Sequence, residues 1–156
     1  MGLRSHDYEK WGDGAENNIL YITGLPGSGK TTLAYGMCED GVIVISLDRL
    51  FRRNLTGKQI NDYIWYMNEC RLIGGNRVII EGFQLLDPEL CGIDISDKPY
   101  ILIEERPIKC LRRIIRRESL FGRNISRLWA TLKWFLYTYA CKRKFVREAR
   151  KKHSIL

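Results

Sequence analysis

The sequence predicts a single three-layer α/β domain over residues 1–156, built on a parallel sheet of about four strands. Three observations predict it. Four short runs, 18–23, 42–47, 77–82 and 100–104, are rich in Ile, Val and Leu, as strands covered on both faces must be. Stretches with a helical apolar period lie between them. A length of 156 residues with 45% hydrophobic and 11% aromatic content suits one core, with disorder not the default. Numbering the strands one to four along the chain, the expected sheet order is 2-3-1-4.

Residues 1–17, with Gly12, Gly14 and Asn17, read as a loose leader. After the first strand, Gly24-Leu25-Pro26-Gly27-Ser28-Gly29-Lys30-Thr31 fits G-x-x-x-x-G-K-[ST] at every fixed position, and Thr32-Leu33-Ala34 continues as a helix. The glycines let successive N–H groups turn inward around a phosphate, and Lys30 adds a point charge. The helix start aims its unpaired N–H groups and positive dipole end at the same anion. Thr31 is placed to offer its hydroxyl to Mg²⁺.

That helix is expected to end near Glu39-Asp40-Gly41, with Gly41 as its left-handed cap. Asp48 follows the second strand, at the carboxyl edge where open α/β sheets bind ligands. It is also a natural N-cap for a short helix over 49–53, and the two roles are compatible. Thr56-Gly57-Lys58-Gln59 has the form of a capping box opening a helix with Ile60, Ile64, Met67 and Cys70 on one face, ended by Gly74-Gly75. Its Tyr63, Trp65 and Tyr66 read as packing rather than a stacking platform. Glu81 closes the third strand, where a carboxylate beside the phosphate loop can hold Mg²⁺ through water or orient a nucleophile; an acid with no such role is costly in an apolar sheet. The stretch 83–98 looks like a surface connection.

Past the fourth strand, Pro107 suits the first turn of a helix running to about Glu118. Ile108, Leu111, Ile114 and Ile115 mark its packing side. Arg112, Arg113, Arg116 and Arg117 recur at spacings of three and four, where like charges repel unless an anion sits among them. Residues 105–124 thus form an Arg-rich lid region with Arg123 at the tip of a loop, 119–124. Residues 125–156 form a basic C-terminal segment, one long helix or two, with Leu128, Leu132, Phe135, Leu136 and Tyr139 on an apolar face and Trp129 and Trp134 read as packing.

Charge divides the chain. Residues 1–104 carry 10 Lys/Arg against 15 Asp/Glu, and residues 105–156 carry 16 against 3, giving +8 in all. The C-terminal third is therefore expected to face an anion: nucleotide phosphates, nucleic acid or a membrane surface. A solvated basic face without a partner is the plainer alternative. Five scattered cysteines with no C-x-x-C pair argue against a disulfide framework or zinc site and for a reducing cytoplasm. The most apolar late stretch, 134–141, is too short to span a bilayer.

Together GLPGSGKTT, VIVISLD, VIIEG and CLRRIIRRE resemble the P-loop kinases of the nucleoside and nucleotide kinase group, over residues 19–123. The resemblance implies the three-layer P-loop NTPase fold, ATP or GTP with Mg²⁺, and phosphoryl transfer to an alcohol. In families that phosphorylate a hydroxyl, including polynucleotide-kinase-like and uridine-kinase-like enzymes, an Asp ending the second strand is the base; Asp48 matches it. The resemblance also implies phosphate contacts for Arg113, Arg116, Arg117 and Arg123, beside the motif's own roles of β,γ-phosphates for the loop and Lys30 and Mg²⁺ for Thr31. Where such kinases often have Asp at the end of the third strand, this chain has Glu81, read here as the second metal holder. It implies a fifth strand after the lid, and no apolar β run follows Ile103. The acceptor stays open among a nucleoside, a nucleotide and nucleic acid, including a hydroxymethylated base in DNA. A small-metabolite kinase and a nucleotide-hydrolysing switch are the other readings.

Overall fold

The computed structural model describes residues 2–6, 18–38, 41–51, 53, 55–72, 77–120 and 125–153. In chain order the elements are β1 (Gly2–His6), β2 (Ile19–Gly24), α1 (Lys30–Gly36), β3 (Val42–Ser46), α2 (Leu47–Phe51), α3 (Gly57–Leu72), β4 (Arg77–Glu81), α4 (Pro88–Cys91), β5 (Tyr100–Glu104), α5 (Pro107–Leu120) and α6 (Ile125–His153), with a 3₁₀ turn at Phe83–Leu86. The sheet order is β1-β5-β2-β4-β3. Its four parallel strands, β3-β4-β2-β5, stand in the predicted order 2-3-1-4, an arrangement shared by Rossmann-like and phosphate-loop folds.

The sheet nevertheless has five strands, because part of the predicted leader is β1. It runs antiparallel to β5, with Gly2 opposite Glu104 and His6 opposite Tyr100. It takes the edge beside the fourth parallel strand and pairs a row of backbone groups that would otherwise template another chain.

Alternation along the strands sorts side chains to two faces. Tyr21, Val78, Ile80, Tyr100 and Leu102 pack on one face with Ile60 and Ile64 of α3, Leu85 and Leu86 of the 3₁₀ turn, and Phe145 of α6. Leu20, Ile22, Ile79, Ile101 and Ile103 pack on the other with Ala34 of α1. A third cluster, Leu25, Cys110, Ile114 and Phe135, joins the loop after β2 to α5 and α6. The predicted surface connection after β4 contributes to the core as well: Gln84, Leu85, Leu86, Cys91, Ile93 and Ile95 are buried, while Pro88, Glu89, Asp94, Asp97 and Lys98 are exposed. β3 is an edge strand with Val42, Ile43 and Val44 only half-buried, so its apolar run does not signal cover on both faces.

Local chemistry explains the helix bounds. α1 stops at Gly36 rather than near residue 41, and Gly41, at φ 83°, instead leads into β3. The capping box at α3 forms as predicted: the Thr56 N–H donates to Gln59 Oε1 at 2.9 Å and the Gln59 N–H to Thr56 Oγ1 at 3.3 Å. Thr56→Ala should cost about 1 kcal/mol and lower Tm by about 2–4 °C in a thermal melt. Met67, Cys70, Gly74 and Gly75 lie outside the residues described at side-chain level. α6 is one helix of 29 residues. Several apolar expectations fail on exposure: Tyr63, Trp65, Tyr66, Ile108, Ile115, Trp129, Trp134 and Leu136 are all exposed. Trp134 keeps edge contacts with Phe83 and Tyr137. Among the described residues, no helix is long and apolar enough to cross a membrane.

Candidate phosphate-binding site

The site is built where the parallel strands end. Gly24 closes β2, and the next turn is fixed by Ser28 N–H donating to the Leu25 carbonyl at 3.0 Å. Gly29, in the left-handed conformation at φ 96°, is the N-cap of α1, and a Cβ there would meet nothing within 4 Å. The space over the helix start is therefore open, and the first N–H groups of α1 have no intrahelical acceptor. Gly27, at φ 76°, answers a second demand: a Cβ would come within 2.7 Å of the Cys110 carbonyl oxygen and 3.2 Å of Ile114 Cγ1. The loop is thus packed directly on α5.

Residues 26–32 of the loop, together with Asp48, Arg113 and Arg117, line a cavity of about 770 Å³. Leu33, Gly36, Met37 and Ile114 complete its wall. Lys30 is buried at 4% exposure, and its Nζ donates to the Leu25 carbonyl at 3.0 Å. Burial pushes its pKa below the usual amine value, Asp48 and Glu81 pull it back up, and Arg117 opposes them. A phosphate in the cavity would act in the same direction as the two carboxylates and favour the charged amine.

β2 and β4 are neighbours with Ile22 opposite Glu81, which brings the acid to the loop. Thr23 Oγ1 donates to the Gly82 carbonyl at 2.9 Å and Gly82 N–H to the Ile22 carbonyl at 3.1 Å, fixing the two strand ends. Glu81 is fully buried, and its Oε1 accepts from Thr31 Oγ1 at 3.2 Å. Its Oε2 is buried without a partner, as are Asp48 Oδ1 and Ser28 Oγ. Buried polar atoms are rarely left this way; three of the four such atoms among the described residues lie at this loop and the strand ends beside it, and the fourth, Gln84 Oε1, lies outside the cavity. A hydroxyl and a carboxylate are hard oxygen donors suited to Mg²⁺, which needs one or two carboxylates with substrate phosphates and water supplying the rest. Among the described residues no three His, Cys, Asp or Glu cluster as a self-sufficient metal site.

The predicted residues divide into three groups. The loop, Lys30, Thr31, Thr32, Asp48, Arg113 and Arg117 share the cavity, with Glu81 directly behind Thr31. Gly24 and Leu25 shape the loop without lining the cavity, and Arg116 is exposed on α5 outside it. Arg123 lies outside the described residues. Asp48 stands inside the first turn of α2, which starts one residue before it, so it is not the cap of a helix over 49–53.

Glu105 was not foreseen. It is 7% exposed; its Oε2 accepts from Arg113 Nη2 at 3.3 Å, while Arg113 Nη1 donates to the Gly27 carbonyl at 3.1 Å. The Arg106 N–H on its Oε1, then Lys109 and Arg113, hold its carboxyl below the usual range. The available signal was its position just past β5, on the edge that also carries Asp48 and Glu81.

No family model matches the chain, and no curated protein matches it in sequence. Among solved structures it is similar to a chain in the "Structure of the Pnkp1/Rnl/Hen1 RNA repair complex", at 18% identity and a TM-score of 0.47, with 78% of this chain covered. The match covers 45% of that chain, so this one spans less than half its length.

Proposed function

We propose that this protein binds ATP or GTP with Mg²⁺ and transfers the γ-phosphate to a hydroxyl of a nucleoside, nucleotide or nucleic acid. The observation that carries the reading is the convergence on one cavity of Lys30, Asp48, Arg113 and Arg117, with Glu81 behind Thr31. In this reading the loop amides and Lys30 hold the β,γ-phosphates, and Thr31 and Glu81 hold Mg²⁺. The ion, when bound, neutralises charge on the phosphate oxygens. Asp48 accepts the proton of the acceptor alcohol as its oxygen attacks, and Arg113 and Arg117 meet the charge that develops on the transferring group. Phosphoryl transfer asks for positioning and charge neutralisation more than covalent chemistry, and these residues supply both.

The test is incubation with γ-labelled ATP, Mg²⁺ and a panel of nucleosides, nucleotides and DNA; label on one of them supports the reading, and label released only as inorganic phosphate defeats it. Binding has its own readout. Mg·ATP at about 100 times its Kd should stabilise the fold by about 2.7 kcal/mol, raising Tm by roughly 5–11 °C. Lys30→Ala should remove most of that rise.

A further inference from the structure

We infer that the cleft between α6 and the start of α5 is a second anion site, which holds the sugar-phosphate backbone of a single-stranded nucleic acid. The cleft, about 670 Å³, is lined by five cations, Lys142, Arg143, Arg147, Arg150 and Lys151, against one carboxylate, Glu104. Arg143, Arg147 and Arg150 are all exposed. Arg143 and Arg147, and Arg147 and Lys151, stand four apart, the spacing at which like charges repel along a helix. A chain of phosphates reverses that sign, each cation releasing counterions from the strand it neutralises.

The same stripe of α6 carries more than charge. Trp129, Leu136, Arg143, Arg147 and Arg150 follow one another at steps of seven, seven, four and three, so they share one side of the helix. Trp129 is 63% and Leu136 65% exposed. A row of cations continued by an exposed indole suits a single strand, whose phosphates track the charges while an unpaired base stacks on the ring. A lipid surface fits less well. Helices that lie on membranes carry an apolar face along their length with cations on the opposite face, whereas this stripe is apolar at one end and cationic at the other.

Position ties the cleft to the phosphate cavity. Pro107, the first residue of α5, forms part of the cleft wall, and Arg113 and Arg117 on the same helix line the cavity. Six and ten residues of helix place them about 9 and 15 Å further along the axis. The strand's role as acceptor, with a terminal hydroxyl reaching Asp48, rests on the kinase reading; its binding in the cleft does not.

The test is fluorescence anisotropy of a labelled single-stranded oligonucleotide with the full chain, without nucleotide, between about 50 and 200 mM salt. Three arginine contacts at about −0.7 each give a log–log slope of at least about −2, a loss of roughly 20-fold over that range. The triple change Arg143→Gln, Arg147→Gln, Arg150→Gln should flatten the slope by about 2, with circular dichroism confirming the fold. Trp129→Ala should weaken binding about 5- to 150-fold and leave the slope as it was. A triple variant with the wild-type slope overturns the proposal. So does binding to phosphatidylserine vesicles, lost in the triple variant, with no binding of the oligonucleotide. Strand binding without Mg·ATP uptake would retire the kinase and keep the cleft, and Mg·ATP uptake with no salt-dependent strand binding would do the reverse.

Discussion

Asp48→Asn should lower phosphoryl transfer by about 10²–10⁴-fold, the range for loss of a positioned general base, while Mg·ATP uptake persists. The substitution keeps the shape of the side chain in the first turn of α2 and removes only its capacity to take a proton. Asp48 lines the cavity that holds Lys30, which puts a carboxylate on the wall that an acceptor hydroxyl would approach. Label transfer at saturating ATP measures the loss, and calorimetry measures the uptake. A nucleotide-hydrolysing switch would barely respond to this change. Transfer within tenfold of wild type would place the base elsewhere.

Arg113→Ala carries the second large effect, a fall in transfer of about 10³-fold or more, as for other guanidinium groups that meet the transferring phosphate. The loss should appear in the maximal rate at saturating ATP, since an interaction stronger in the transition state than in the ground state acts there. Arg113 bridges the Gly27 carbonyl and Glu105, so Glu105→Gln should produce a smaller loss by loosening the arginine without removing it. The pH dependence has a definite sign. The Glu105 carboxyl is held below its ordinary range by the Arg106 N–H, Lys109 and Arg113. The anchor is therefore present at neutral pH and is lost only as pH falls through that lowered value. Glu105→Gln should remove this acid limb from the activity profile. An unchanged limb would show that Glu105 does not position the arginine.

The parallel part of the fold was legible because its strands are short apolar runs. Ile19 to Ile22, Val78 to Ile80 and Tyr100 to Ile103 lie inside the sheet, Val42 to Ile45 forms its edge, and their connections leave few right-handed arrangements. The candidate site was legible for a related reason: Glu81 ends such a strand, Asp48 follows one by two residues and Lys30 opens the helix after another, and a parallel sheet gathers those ends on one edge. β1 was hidden because Gly2-Leu3-Arg4-Ser5-His6 has neither an apolar run nor flanking turn signals, and its place is set by the open edge of β5. The exposed aromatics were misjudged because helical spacing fixes which residues share a face and leaves open whether anything covers it. Trp65 and Trp129 lie in helices with an apolar period and are nevertheless 65% and 63% exposed among the described residues. Glu105 was missed because its partner is eight residues further on, across the start of α5, and only the folded helix brings Arg113 back to it.

The absence of a side chain at Gly27 has a mechanical consequence. With the Cys110 carbonyl 2.7 Å from where a methyl carbon would stand, any side chain at residue 27 would push the loop away from the first turns of α5 and carry the Gly27 carbonyl away from Arg113. The Arg113 guanidinium is held at the cavity wall before any ligand arrives, so in the proposed reaction the disorder lost in placing it would be surrendered when the chain folds and not at each turnover.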